Sequence, residues 1–323
     1  MPPLFSVVIP TFNQADLLRT ALTSVLDQTF ADFDVWVVNN RSTDHTVEVA
    51  NSFGDPRINV IDFSNHGIIG AGRNSGIKAS ESEYVAFLDS DDSWKPNKLQ
   101  AVSTAITENP EADVLCHAQM VIREGSPVEK TEFGTPNGYD GPLFDYWLRH
   151  GNRLTPSAAV VSRRSLEAAE GFSEDPKLVT VEDSDLWLRL SKTCGFVFIS
   201  EVLGDYNLHA DSSSTNVETH LNAALALIDR HWAGYEPEGG SMSRSMAFRH
   251  QRANAHFGAA RQYQRTGSFI KPLVHFTKAL MLYPLHLRSI AGLGLLFAGK
   301  PLGAKKSARF ADALWRMGRG IRA

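Results

Sequence analysis

The stretch YVAFLDSDDSW, residues 84 to 94, decides the fold. Tyr84 to Leu88 is a short apolar run of the kind that forms a buried strand. Three carboxylates follow within four positions, Asp89, Asp91 and Asp92. Like charges this close repel, and a buried carboxylate is costly without a partner. Hard divalent cations such as Mg2+ and Mn2+ take carboxylate oxygens and share them with substrate phosphates. Helix capping is the alternative, with Asp92 or Ser93 capping a helix that starts near Pro96. Three acids exceed what one cap needs, and this favours metal–phosphate binding.

Upstream, strand and helix patterns alternate. Phe5–Ile9 is a β-branched run broken by PTFN. Ala15–Leu26 sets Leu17, Leu18, Ala21, Leu22 and Val25 at helical spacing. A second strand over Asp34–Val38 ends in NNRSTD. A helix follows over Thr43–Phe53, with Ser42 or Thr43 as its N-cap. Ile58–Phe63 reads as strand and Gly70–Ser80 as helix. This order implies an α/β fold with a parallel sheet covered on both faces. Ligands of such sheets sit at the carboxyl ends of the strands. PTFN, NNRSTD and DSDD therefore share one rim.

Downstream, Lys95–Asn109 reads as helix, Asp113–Arg123 as strand and Gly125–Pro142 as loop. Val160–Val161 and Phe196–Ile199 are further strands, and a helix runs from Glu182 through Ser191. The character changes after about Asn216, which divides the chain into domains 1–216 and 217–323. The second begins with a helix over Thr219–Trp232, then a linker over Ala233–Ser243, and is helical beyond it. The window 253–286 resembles a single tetratricopeptide repeat through Tyr263, Gly267, Phe276, Ala279 and Pro284, with Pro272 where a small residue belongs. A generic helical hairpin gives the same pattern. Lys300–Ala323 holds seven Lys/Arg against one acid, Asp312. After the apolar run Ser289–Gly299, it suits either an anionic membrane surface or a solvated basic helix.

Composition is that of a globular chain, 43% hydrophobic and 21% charged. A net charge of −4 gives no basic footprint for nucleic acid. Cys116 and Cys194 lack metal-ligand spacing and read as reduced thiols of a cytosolic protein. The N-terminus has no signal-peptide layout, and no apolar run reaches the roughly 18 residues of a spanning helix.

Three segments in order, SVVIPTFNQADLLRTALTSVLDQTFADFDVWVVNNRSTDHT, GAGRNSGIKASESEYVAFLDSDDSW and VEDSDLWLRL, resemble the inverting family 2 glycosyltransferases of the GT-A fold. The resemblance covers about residues 4 to 215. It implies a Rossmann-like, mostly parallel sheet flanked by helices, here with a C-terminal helical extension. Pro10, Thr11, Phe12 and Asn13 would line the nucleotide base, with Phe12 on the ring; core packing is the other reading of Phe12. Asn39 and Asn40 stand where the family has an acid pair that accepts the base's ring N–H. An amide accepts through its oxygen and also donates. Arg41 stands where glycine is common. Gly70, Arg73 and Asn74 belong to a segment that places an arginine near base and diphosphate, its glycines permitting close backbone approach. Arg73 has a second reading as the partner of Asp89.

By the same resemblance Asp91 and Asp92 are metal ligands, and Asp89 with Ser90 touches ribose or orients the loop. Direct displacement needs a base within reach of the acceptor hydroxyl, and Asp183 of the Glu182–Asp183 pair takes that role. Helix-dipole pairing alone explains Glu182 or Asp185. Leu186, Trp187, Leu188 and Leu190 read as core, and Arg189 as the partner of a nearby acid. His209 is either a third metal contact or a loop histidine, and Asn207 replaces a common arginine. Thr155, Pro156 and Ser157 would lie near the acceptor, and Trp94 against a sugar. The implied reaction moves a sugar from a nucleotide-sugar, a UDP-sugar first among them, to a hydroxyl, with Mn2+ or Mg2+ and inversion. The acceptor would be a glycan, a lipid-linked or a small molecule, and the setting cytoplasmic, with peripheral membrane contact through the tail. A nucleotidyltransferase is disfavoured, because no Gly-rich triphosphate loop with a lysine opens the chain. A non-catalytic sugar-nucleotide binder or scaffold is the third reading, against which Asp91, Asp92 and Asp183 stand.

Overall fold

A computed structural model describes residues 1–135, 139–152, 154–208, 216–235 and 243–298. The chain forms two compact units, Met1–Trp147 with Asn152–Ser212, and Leu148–Gly151 with Ser213–Ala323.

In chain order the first unit contains β1 (Phe5–Thr11), α1 (Ala15–Leu26), β2 (Phe33–Asn39), α2 (Thr46–Ser52), β3 (Ile58–Asp62), α3 (Ile69–Ala79) and β4 (Tyr84–Phe87). Then come β5 (Ser93–Trp94), α4 (Lys98–Glu108), β6 (Ala112–Arg123), β7 (Ser126–Thr131) and α5 (Leu143–His150), whose last residues belong to the second unit. After these follow β8 (Ala159–Ser162), α6 (Arg163–Ala168), α7 (Glu182–Leu190) and β9 (Gly195–Leu208). One sheet has the order β3-β2-β1-β4-β8-β6-β9-β5, with β7 added to β6. The half β3-β2-β1-β4 is parallel, as the alternating patterns predict. Beyond it β8 runs antiparallel to β4 and β6, and β9 is parallel to β6.

Apolar periodicity explains the packing. Leu18, Ala21, Leu22 and Val25 of α1 are fully buried against Val7, Ile9, Val35 and Val37 of the sheet. Each such side chain contributes roughly 1.5–3 kcal/mol on burial. On the other face α3 lies close to the sheet because Gly76 has no side chain; a Cβ there would stand 2.5 Å from Val8 Cγ1.

Several boundaries differ from the sequence expectation. The helix expected from Thr43 begins at Thr46, and neither Ser42 nor Thr43 caps it. Those two hydroxyl residues bond Asn13 instead, and Asp44 accepts from Thr46 N at 3.1 Å. The helix expected from Lys95 begins at Lys98, because Ser93–Trp94 pairs with β9. Asp92 is therefore no cap of that helix. The expected loop Gly125–Pro142 contains β7, an edge strand whose SPVEKT sequence carries little apolar signal.

The second unit contains α8 (Val217–Trp232), α9 (Arg244–Arg265), α10 (Ile270–Leu282) and α11 (Leu287–Ala298). Ala260, Phe276 and Leu296 form a small core. Gly292 lets α11 approach, since a Cβ there would meet the Phe276 ring at 2.5 Å. The window 253–286 is a helical hairpin, in which Gly267 turns with φ 81° and Pro272 fits the first turn of α10. The tail from Lys300 lies outside the described residues. Among the described residues no helix is long and apolar enough to cross a membrane.

Candidate active site

The carboxyl edge of the parallel strands carries the polar segments. Thr11, Asn39 and Asp62 stand side by side in register there. The segment after β1 is tied to the segment after β2. Asn13 sits at φ 50°, donates its N–H to Ser42 Oγ at 2.9 Å and accepts from Thr43 N at 2.7 Å. Gln14 and Ala15 donate to Thr46 Oγ1 and Asp44. This bracing leaves Phe12 at 53% exposure, so Phe12 is not core. Pro10 is half-buried at the strand end, and buried Thr11 has no partner for its hydroxyl.

Asn39 and Asn40 serve the loops. Asn39 Nδ2 donates to Asp62 Oδ1 at 2.6 Å, and its Oδ1 accepts from Ser42 N at 3.1 Å. A carboxylate at position 39 would face Asp62 at the same distance and repel it, whereas the amide donates. Asn40 Oδ1 accepts from Asn65 N at 2.9 Å. Arg41 has φ 53°, a left-handed conformation that glycine adopts without steric cost.

The α3 segment packs against the residues that precede α7. A Cβ on Gly70 would stand 2.7 Å from Ser173 O. Asn74 donates to Phe172 O and Glu174, and accepts from Phe172 N. Both residues thus pack the chain segment that precedes α7. Arg73 is 4% exposed, and its guanidinium lies 5.2 Å from the Phe172 ring centroid. It donates to Asp89 at 2.6 Å and to Glu182 at 2.7 Å.

The acidic loop is layered. Asp92 is 1% exposed, and both its oxygens are engaged: Ser157 Oγ donates at 2.6 Å and Asn207 N at 2.8 Å. Burial and the like charges of Asp91 and Asp89 push its pKa well above the usual range. Asp91 is half-buried, and its carbonyl accepts from Asn207 Nδ2 at 2.8 Å. Ser157 Oγ also accepts from Asp89 N, and buried Ser90 donates to Gln14. Ser157, expected near the acceptor, and Asn207, noted only for replacing an arginine, thus build this loop. Thr155 bonds Gln119. Trp94 is buried, not presented to a sugar; it donates to Ser157 O and lies 3.3 Å over Lys98 Nζ. His209 lies outside the described residues.

Glu182 and Asp183 open α7. Desolvation and the charge of Glu182 raise the Asp183 pKa to about 7, against the pull of Arg73. Asp185 is buried, pairs with Arg189 at 2.8 Å, and is structural. Leu186, Trp187, Leu188 and Leu190 are core. Burial and the carboxylates of Asp92, Asp89, Asp91 and Asp183 push the Tyr206 phenol up.

The donor set suits a divalent cation that arrives with phosphates. No cluster of three or more His, Cys, Asp or Glu capable of holding a metal occurs among the described residues. A hard cation needs only one or two carboxylates when phosphate oxygens complete its shell. Asp91, set beside two further acids at the rim, meets that requirement.

A parallel half-sheet with acids at its carboxyl edge and an acid pair opening α7 matches the arrangement expected from the resemblance to GT-A glycosyltransferases. The description Glycosyl transferase family 2 matches residues 6–169. The chain belongs to this family. The amylovoran biosynthesis glycosyltransferase AmsB of Erwinia amylovora is 31% identical over 236 residues, 70% of this chain and 76% of AmsB. A chondroitin synthase of Pasteurella multocida (strain Pm70) is 28% identical over 232 residues, 71% of this chain. The chain spans only 23% of that synthase. In structure, S. aureus TarS 1-349 in complex with UDP-GlcNAc aligns with TM-score 0.59 and 20% identity, over 92% of this chain and 91% of that one. This last likeness is one of fold.

Proposed function

We propose that the chain transfers a sugar from a nucleoside-diphosphate sugar to an acceptor hydroxyl, with inversion, in polysaccharide, lipopolysaccharide or other glycan synthesis. The observation that carries the reading is the Arg73 bridge, which joins the donor-side acid Asp89 to the helix end bearing Asp183. Asp183 takes the proton of the acceptor hydroxyl as that oxygen attacks the anomeric carbon. The bond from that carbon to the diphosphate oxygen breaks on the opposite face, and the nucleoside diphosphate leaves. A carboxyl with a pKa near neutrality suits a base at physiological pH.

Exposed Phe12 offers a ring to the nucleobase, with Pro10, Thr11 and Asn13 around it. Asp91 would hold a Mn2+ or Mg2+, with Asp92 behind it and His209 as a further candidate. Such an ion supplies neutralisation of the charge that builds on the leaving diphosphate. A UDP-sugar is the first donor to test, and TarS, which binds UDP-GlcNAc, supports that choice. The acceptor is a glycan, lipid-linked or small molecule, in line with the polymer named for AmsB. The setting is cytoplasmic, with peripheral contact to a membrane through the C-terminal region.

A thermal-shift screen of UDP-, GDP- and TDP-sugars with Mn2+, followed by a transfer assay, tests the reading. Stabilisation by one nucleotide class and loss of transfer in Asp183→Asn are expected. Full transfer by that variant would overturn the base assignment.

A further inference from the structure

Two helices of the second unit each expose an apolar stripe besides the residues that form its core. On α10, Ile270, Val274 and Met281 stand four and seven residues apart and make one stripe. On α11, Leu287, Ile290 and Phe297 are likewise outward. These six side chains are 43 to 77% exposed. The inward residues Phe276, Ala279 and Leu296 are buried, so the stripe is additional to the core. An exposed apolar patch of this kind marks a docking surface.

The charges around the stripe say what docks. No Asp or Glu occurs between Glu238 and Asp312. Across that span α9 carries five Lys/Arg, α10 two and α11 one. Lys271, Lys278 and Arg288, on the two stripe-bearing helices, are exposed. Among the described residues Lys278 and Arg288 make no ion pair. A second copy would bring the same cations to an isologous contact, where they repel. An anionic bilayer fits both features, since its acyl boundary takes the apolar side chains and its headgroup phosphates take Lys and Arg.

We infer that α10 and α11 form the face by which the chain docks on an anionic phospholipid surface. The inference rests on the peripheral placement proposed above, and it assigns the contact to this hairpin instead of to the tail.

The test is co-sedimentation of the full chain with vesicles of phosphatidylcholine alone, or mixed with phosphatidylglycerol. The mixed vesicles should bind the wild type about tenfold more tightly. The variant Ile270→Gln/Met281→Gln/Leu287→Gln should weaken that binding about tenfold or more, with an unchanged unfolding midpoint, because the three positions are exposed. Lys278→Gln/Arg288→Gln gives an independent reading and should remove most of the preference for phosphatidylglycerol. Lys305→Glu/Lys306→Glu/Arg309→Glu, in the tail, should retain binding. Loss of binding in the tail variant alone would keep the peripheral placement and overturn the hairpin assignment. No vesicle binding by the wild type would overturn both. Light scattering that shows a dimer, dissolved by the hairpin variant, would make the face a self-interface and equally overturn the inference.

Discussion

Arg73 holds Glu182 at 2.7 Å with one guanidinium nitrogen and Asp89 at 2.6 Å with the other. The bridge links chain positions 109 and 16 residues away from it. Guanidinium geometry permits two such bonds at once, whereas an ammonium is a point charge. Arg73→Met should destabilise the fold by roughly 3 kcal/mol, because it leaves the buried Glu182 and the half-buried Asp89 uncompensated. Arg73→Lys should lose part of that, keeping one acid paired. Adding Glu182→Gln to Arg73→Met should recover stability by removing one orphaned charge. Urea denaturation reads all three, and a wild-type midpoint for Arg73→Met would show that the bridge holds nothing.

Asp183 links activity and stability to pH with opposite signs. Its pKa is raised from 3.8 to about 7. Between those values the folded chain holds a proton that the unfolded chain has released. Folding stability contributed by this group therefore falls as pH rises through the window. Activity rises through the same window, because a base must be deprotonated. The kcat/KM profile should show an acid limb with a midpoint at about 7. Asp183→Asn should lower kcat by about 10²–10⁴-fold with donor affinity unchanged. Its unfolding temperature, relative to wild type, should grow more favourable from pH 5 to pH 8. A difference independent of pH would mean that Asp183 is already ionised when the chain folds.

Asp91 and Asp92 should separate cleanly under substitution. Asp92 is buried on Ser157 and Asn207, so Asp92→Asn disturbs the loop itself. It should lower the unfolding midpoint and weaken donor binding together. Asp91 is half-buried at the rim. Asp91→Asn should remove the Mn2+ dependence of nucleotide binding in calorimetry with little change in stability. Equal stability losses in the two variants would contradict this division.

The alternation of strand and helix through residue 88 was legible because each element repeats its own apolar period. The acids at 89, 91, 92 and 183 were legible because carboxylates beside buried runs demand an explanation. What stayed hidden depends on partners far along the chain. Gly70 and Asn74 read as a donor loop, but their contacts are Phe172, Ser173 and Glu174, about a hundred residues on. Asn39 reads as a base contact in place of an acid, and only Asp62, one strand over, supplies a reason for an amide. Trp94 reads as a sugar platform, and only the buried Lys98 and Ser157 reveal it as packing. β7 was missed because an edge strand needs no apolar face.

Phe12 tests the nucleobase assignment without disturbing the fold. Its ring is 53% exposed, while the backbone beside it is braced through Asn13, Ser42 and Thr43. Removing the ring deletes little buried area, so Phe12→Ala should leave the unfolding midpoint within error. Stacking of a base on an aromatic side chain contributes about 1–3 kcal/mol. Nucleoside diphosphate affinity should accordingly fall by roughly 5- to 150-fold, with kcat at saturating donor nearly unchanged. Phe12→Tyr or Phe12→Trp, which keep a π-face, should restore affinity. Calorimetry with the nucleoside diphosphate and Mn2+ measures each variant. Wild-type affinity in Phe12→Ala would move the base away from this loop, and a fall in kcat alone would place Phe12 on the acceptor side instead.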